Sequence, residues 1–343
     1  MRLGILTGGG DCPGLNAVIR AVVLHGGRRW NDEVVGFRDG WRGVIDDEGF
    51  VIAPERASRI LSRGGTILGT SRIQPYTTAD GPRRAVEALQ RRGVEGLIVV
   101  GGEGTLSVAN RLHRDHGVRL VGVPKTIDND VGVTQLTFGF ETAVQTATDA
   151  IDRLHTTAES HNRVMVVEVM GRHAGHVALW AGIAGGAAAI LVPERPFDIA
   201  AVSGDLQRLH EGGTRSSVVV VAEGARPMAG TLEIPEPGVD EYGHARLGGI
   251  GAIVASEIEA RTALETRVTV LGHVQRGGTP TAFDRVLCTS FGVAAVDATH
   301  EGAFGQMVAV RGGGLALVPL AEATAALKPI PADLWQVAQA CLS

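Results

Sequence analysis

Cysteine is scarce in this chain: three residues among 343, Cys12, Cys288 and Cys341, odd in number and widely spaced. Such a set suggests neither a disulfide framework nor a cysteine metal site, and it fits a reducing cytosol. There is no block rich in Lys and Arg, and the formal net charge is −5; a chain whose main partner is nucleic acid needs a basic stripe or patch. No apolar run approaches the length of a membrane span, roughly 20 residues. The N-terminus enters a short apolar segment and then glycines, without the charged region and apolar stretch of a signal peptide. Heptads, low-complexity tracts and short internal repeats are also missing. The expectation is a soluble, cytoplasmic protein with neither membrane nor nucleic acid as partner.

What is abundant is glycine. Its 48 residues of 343 are roughly twice the usual share, and they cluster at the ends of predicted strands, as tight turns and close ligand approach require. The length suits two lobes, and 44% hydrophobic with 20% charged residues is a globular composition. Leu3–Thr7, Val94–Val100 and Val118–Val123 read as strands. Helices are predicted over Leu15–Leu24, over Arg83–Arg92 with Asp80 as N-cap and Pro82 in the first turn, and from the Gly101–Thr105 loop to about His113. The second half repeats the rhythm. The stripe Val144, Ala147, Ile151 and Leu154 predicts a helix ending before Ser160, and Val164–Val169, Ala189–Val192, Val218–Ala222, Val268–Leu271 and Met307–Val310 read as strands. Gly175–Ala184 and Thr281–Val296 read as helices, and the polar stretch Ala225–Leu247 as an exposed hairpin or loop. Strands alternating with helices predict an α/β fold with a mainly parallel sheet covered on both faces.

The stretch Pro124-Lys125-Thr126-Ile127-Asp128-Asn129-Asp130 follows a predicted buried strand, at the end where open α/β sheets bind ligands. Its polar groups serve no core. They read either as a turn with Asx-type hydrogen bonds or as a site. Three glycine-rich loops, Gly8–Asp11, Gly64-Gly65 with Gly69, and Gly101–Thr105, are each predicted to follow a strand and precede a helix. Backbone N–H groups and a helix N-terminus so placed hold phosphate oxygens. Glu103 in the third loop repels phosphate unless a divalent cation intervenes, and Mg²⁺ is commonly bound by one or two carboxylates plus substrate phosphates. Arg72, Arg163, Arg172, Arg267 and Arg276 each flank a strand, and arginine's planar fork matches phosphate.

The segments Thr7–Asn16, Gly101–Thr105, Pro124–Asp130, Val167-Glu168-Val169-Met170-Gly171-Arg172 and Leu271–Gly278 together resemble the 6-phosphofructokinase family, in its order and spacing from residue 3 to about 298. A Gly-Gly-Glu-Gly-Thr loop alone is shared with other kinases; the Thr126–Asp130 and Met170–Gly175 segments together are specific. The resemblance implies two Rossmann-like lobes, each a mainly parallel sheet with helices on both faces. Residues 1–139 with about 276–325 would form the phosphoryl-donor lobe, and 140–275 with about 326–343 the fructose 6-phosphate lobe.

The resemblance further implies phosphoryl transfer to the 1-hydroxyl of fructose 6-phosphate, giving fructose 1,6-bisphosphate. Asp128 would be the base, with Thr126 beside it, and Arg72 and Arg172 would stabilise the moving phosphoryl. Glu103 and Asp130 would hold Mg²⁺. Gly10, Arg72, Gly102, Glu103, Gly104 and Thr105 would bind the nucleotide, with Trp41 near the purine. Thr126, Ile127, Asp128, Arg163, Met170, Gly171, Arg172, Glu223, Arg267, His273, Val274, Gln275 and Arg276 would bind the sugar phosphate. In this family the equivalents of Arg163 and Arg267 reach across from a neighbouring subunit, so a homo-oligomer, usually a tetramer, is implied.

The donor rests on Gly104 and Lys125. Pyrophosphate-dependent relatives carry Asp at the first position, where a carboxylate excludes a nucleotide's α-phosphate, and Lys at the second. Gly104 leaves the space open, and a lysine on a flexible stem swings aside, so ATP is expected, with the reversible pyrophosphate-dependent enzyme as the alternative. A non-catalytic sugar-phosphate-binding subunit would be expected to lose Asp128 or the arginines, which are present. Of the family's ADP/phosphoenolpyruvate effector site, Arg20 fits, whereas Leu24, His155, Ala188, Thr214 and Ser216 replace the expected polar set, so little ADP activation is expected.

Overall fold

The computed structural model describes residues 1–233 and 248–341, and the chain divides into two compact units, Met1–Thr142 with Arg276–Lys328, and Ala143–Gln275 with Pro329–Ser343. Among the described residues eleven strands run in chain order: β1 (Arg2–Thr7), β2 (Glu33–Phe37), β3 (Gly49–Val51), β4 (Gly96–Gly101), β5 (Leu120–Pro124), β6 (Val164–Val169), β7 (Ala189–Leu191), β8 (Ser217–Ala222), β9 (Thr266–Val270), β10 (Gln306–Arg311) and β11 (Gly314–Pro319). In the first unit they form a seven-stranded sheet, β11-β10-β5-β4-β1-β2-β3. Its interior pairs are parallel, and the two edge strands, β3 and β11, pair antiparallel. The apolar runs of β1, β4 and β5 are buried along nearly their whole length, as strands covered on both faces must be. The order reverses between β1 and β4, where Thr7 lies opposite Val100, so the two glycine-rich carboxyl ends open side by side at a topological switch point.

The second unit has a four-stranded sheet, β7-β8-β6-β9, all parallel, with β6 between β8 and β9. Val164, Val166, Val219, Val221, Ile250, Val254 and Ile258 form its core on one face. The helix Phe140–His161 runs one residue past Ser160, before which the sequence-based reading ended it.

Carboxylates from other elements sit at helix N-termini, where unpaired N–H groups and the helix dipole favour negative charge. Asp284, fully buried on the helix Ala282–His300, accepts from the Gly139 and Thr142 N–H groups, both at 2.9 Å, and from the Thr142 hydroxyl at 2.5 Å, at the start of Phe140–His161. Glu168 of β6 accepts from the N–H groups of Gly249 at 3.1 Å and Gly251 at 2.8 Å, opening the helix Ile250–Thr262. Glu194 accepts from Gly175 N–H at 3.0 Å, before the helix His176–Ala184.

Several details depart from the sequence-based expectations. Asp80 stands at the N-cap position but in a left-handed conformation (φ 52°), so its carboxylate makes no cap bond and instead faces Arg83 at 3.6 Å. The Gly64–Gly69 loop follows the short helix Pro54–Ser58, not a strand, and precedes only the 3₁₀ turn Pro75–Thr77. Strands β2, β3 and β11 escape a pattern search: β2 is interrupted by Gly36, β3 has three residues, and β11 exposes Leu315 and Leu317. Of the polar stretch 225–247, residues 234–247 lie outside the described residues. No helix among the described residues is long and apolar enough to cross a membrane.

Candidate active site

The glycine loops after β1 and β4 are packed around one side chain. A Cβ on Gly8 would stand 2.7 Å from Thr105, and one on Gly101 2.3 Å from it, so both strand ends must be glycine for Thr105 to sit between them. Gly102 precedes the helix Glu103–His116, whose first residue is acidic and accepts from the Ser107 hydroxyl at 2.6 Å. Gly104 is exposed, and nothing lies within 4 Å of where its Cβ would be. Gly10 is overlain by Arg276: a Cβ there would meet Nη1 at 2.4 Å, and the same Nη1 donates to the Asp11 carbonyl at 3.2 Å. The structure thus brings Gly10, Gly102, Glu103, Gly104, Thr105 and Arg276 to the switch point of the first sheet. Arg72 is exposed on the loop after Gly69, whose carbonyl accepts from the Thr7 hydroxyl at 2.8 Å.

Trp41 is not available to a purine. It is 2% exposed in the core, with its indole N–H 3.4 Å from the Thr105 carbonyl, since a large apolar ring is held more favourably there than in water.

Beyond β5 the polar stretch is a folded loop. Ile127 is fully buried, so its side chain anchors the loop and only its backbone is left for a ligand. The Thr126 hydroxyl accepts from Asp128 N–H at 3.1 Å, and the Thr126 carbonyl accepts from the Thr137 hydroxyl at 2.7 Å. Asp130 is pushed up to about 6 by withdrawal from water and then by the charges of Asp128 and Glu103. The charges of Asp128 and Glu103 bear on Asp130, and Lys328 offsets them only in part, which suits a divalent cation held by Asp130 and Glu103. Among the described residues no group of three or more His, Cys, Asp or Glu is placed to cage a metal. Two carboxylates completed by substrate phosphates fit Mg²⁺ better than an all-protein cage does.

Lys125 does not lie loose. It is 3% exposed, its ammonium donates to the Gly10 carbonyl, and burial lowers its pKa. The flexible lysine expected to swing aside is a fixed strut between the two loops, because its buried ammonium would lose the carbonyl that satisfies it if it moved within the core.

In the second unit, β6 delivers Met170, Gly171 and Arg172 at its carboxyl end. Glu223 N–H donates to the Val169 carbonyl at 2.8 Å and Gly224 N–H to the Gly171 carbonyl at 3.0 Å. A Cβ on Gly224 would lie 2.1 Å from the Arg172 carbonyl, so the two turns interlock through that glycine. Gln275, fully buried, accepts from Met170 N–H at 3.4 Å, while His273 and Val274 on the same turn are exposed. Gln275 therefore fixes the turn, and His273 projects from it. Arg163 and Arg267 lie elsewhere. Arg163 precedes β6 and Arg267 is the second residue of β9, at the amino ends of those strands, where both meet Glu265. At about 3.3 Å per residue, a strand of this length separates them from Met170–Arg172 by roughly 20 Å. Within the second unit the structure does not bring these two arginines to Arg172.

The phosphofructokinase family model matches residues 2–299. The chain belongs to the phosphofructokinase family. It is 55% identical over 336 residues to a pyrophosphate–fructose 6-phosphate 1-phosphotransferase of Streptomyces coelicolor, covering 98% of each chain. It is 52% identical over 342 residues to ATP-dependent 6-phosphofructokinase 3 of the same organism, covering all of both. Among solved structures, phosphofructokinase from Saccharomyces cerevisiae superposes with a TM-score of 0.82 at 31% identity, over 99% of this chain and 46% of the yeast chain. The α/β fold with two sheets is that of phosphofructokinases.

For a phosphofructokinase-family site, the residue the motifs missed is Lys328. Its ammonium lies 3.0 Å from Asn129 Oδ1, 2.8 Å from the Thr134 carbonyl and 2.9 Å from the Gln135 carbonyl, and burial pushes its pKa down to about 8. It lies far along the chain from every glycine loop, outside the 2–299 span of the family match. One signal was legible: lysine occurs only at positions 125 and 328.

Proposed function

We propose that the chain transfers the terminal phosphoryl of Mg-ATP to the 1-hydroxyl of fructose 6-phosphate, giving fructose 1,6-bisphosphate. The observation that carries the donor assignment is Gly104, exposed and with open space where a side chain would project. A nucleotide's α-phosphate needs that space. Asp128 takes the proton of the attacking hydroxyl, from a loop whose first turn is set by the Thr126 hydroxyl. General-base help of this kind is worth about 10²–10⁴-fold in rate. Arg72 and Arg172 supply preorganised positive charge to the moving phosphoryl, which carries most of the cost of such a transfer. Glu103 and Asp130 hold Mg²⁺, which when bound neutralises charge on the donor phosphates. Met170, Gly171, Glu223 and His273 line the sugar.

Arg163 and Arg267 stand at the far ends of their strands, which supports their serving the sugar phosphate of a neighbouring copy in a homotetramer. A soluble cytoplasmic enzyme accords with the family to which the chain belongs.

A second reading, pyrophosphate as donor, is favoured by Lys125, whose ammonium is fixed at the glycine loop rather than able to retract. Relatives carrying either name resemble the chain at similar identity. Purified protein supplied with fructose 6-phosphate, Mg²⁺ and one donor at a time separates the two. Turnover with ATP is expected, and robust turnover with pyrophosphate alone refutes the donor assignment. Asp128→Asn tests the base: it should retain sugar-phosphate binding and lose about 10²–10⁴-fold in turnover.

A further inference from the structure

Every one of the 32 basic residues is arginine except Lys125 and Lys328. Both exceptions are withdrawn from solvent, wholly or in part, and both give their ammonium groups to backbone carbonyls: Lys125, which opens the loop that carries Asp128, to Gly10 in the loop after β1, and Lys328 to Thr134 and Gln135 in the Asp128 loop itself. An ammonium is a compact charge with three rotatable donors, whereas guanidinium is a planar fork. Three acceptors gathered around one point, a side-chain oxygen and two consecutive carbonyls, are matched by the first and not by the second.

We infer that Lys328 is a positioning residue for the transfer step: through one nitrogen it fixes the two limbs of the loop 126–137 and thereby aims Asp128 and Asp130. On the near limb it holds the Asn129 side chain, which also accepts from Thr137 N–H at 3.0 Å. On the far limb it holds the carbonyls of Thr134 and Gln135. Its own backbone N–H donates to the Asp130 carbonyl at 2.8 Å.

The loop needs such a lock. Asn129 (φ 50°) and Val133 (φ 56°) are both left-handed, and for a β-branched residue that conformation persists only where the surroundings impose it. With the ammonium gone, the three acceptors each lose one donor at once; Asn129 Oδ1 keeps the Thr137 N–H and the Gln135 carbonyl keeps the Asn129 amide at 3.4 Å, but the charged link that ties both limbs to one point is lost and both residues can relax. Asp128 is the immediate neighbour of Asn129, so it moves with it. A misplacement of about 1 Å costs on the order of 100-fold in a positioned reaction. The sugar-binding turns at Met170–Arg172 and Glu223 are built from other segments and are not altered.

The inference rests on the reading of Asp128 as base, so the test carries Asp128→Asn in parallel. Lys328→Met, which keeps the stem without the charge, and Lys328→Gln, which keeps two donors, are compared with the parent. The readouts are initial rates over fructose 6-phosphate and donor concentration, thermal midpoint, and calorimetric stoichiometry of fructose 6-phosphate binding. The expected result for Lys328→Met is kcat lower by roughly 30–100-fold, KM for fructose 6-phosphate within about twofold, and full binding stoichiometry, with Lys328→Gln intermediate. A kcat within about threefold of the parent overturns the inference, as does a loss of kcat matched by an equal loss of binding stoichiometry, which marks a merely structural role. Where Lys328→Met does not fold, Lys328→Gln is judged by the same limits. Near-normal turnover by Asp128→Asn instead removes the base assignment, whatever the Lys328 variants do.

Discussion

Asp130 should cost this protein stability whenever no cation is bound to it. Its carboxyl titrates near 6 rather than 3.8, first because it is withdrawn from water and then because Asp128 and Glu103 are charged nearby. At 1.36 kcal/mol per pKa unit the full shift is worth about 3 kcal/mol, and residual solvent contact at this half-buried side chain reduces that to about 1–2 kcal/mol. The native state holds this proton more tightly than the unfolded chain does. Stability contributed by the site is therefore greatest below about pH 4, falls as pH rises through about 6, and stays low above it. Asp130→Asn removes the penalty while keeping the backbone carbonyl that accepts from Lys328. In EDTA at pH 7.5 the variant should be more stable than the parent by about 1–2 kcal/mol by urea unfolding at one fixed protein concentration, with the advantage vanishing towards pH 4. Added Mg²⁺ should stabilise the parent more than the variant, and the variant should lose most turnover. An Asn variant no more stable than the parent at pH 7.5 without metal, or one whose advantage persists undiminished at pH 4, refutes the reasoning.

Gly104→Asp should fold with an unchanged thermal midpoint, because its Cβ meets nothing within 4 Å, yet lose ATP turnover at least tenfold while pyrophosphate turnover is retained or gained; this is read from paired donor assays. Asp284→Asn should destabilise by about 2–3 kcal/mol, since an amide cannot accept all the bonds from Gly139 and Thr142 that the buried carboxylate accepts, and the drop is measured by thermal unfolding. ADP should give little activation at low fructose 6-phosphate, because Leu24, His155, Ala188, Thr214 and Ser216 stand where the resemblance to the family implies the polar residues of an effector site; a strong saturable rate increase in a coupled assay contradicts this.

The sequence alone determined the alternation of strands and helices, and hence the class of fold, because strands buried on both faces must be continuous apolar runs such as those of β1, β4 and β6. It also singled out the candidate loops after β1, β4 and β5, since glycines and charged residues gathered at strand ends have no role in a core, although it misplaced the Gly64–Gly69 loop behind a strand. The antiparallel edges were not legible. Short strands exposed on one face, such as β11, lack the periodic burial on which recognition depends. Three further matters were decided by the tertiary structure alone. Trp41 is core, because its indole has somewhere better to be than a ligand's face. Arg163 and Arg267 share Glu265, because the pairing of β6 with β9 sets their strand ends side by side. Lys125 and Lys328 are fixed because each ammonium, buried or half-buried itself, found backbone and side-chain oxygens to satisfy it, and a side chain's freedom is set by the acceptors around it, which contiguous sequence does not display.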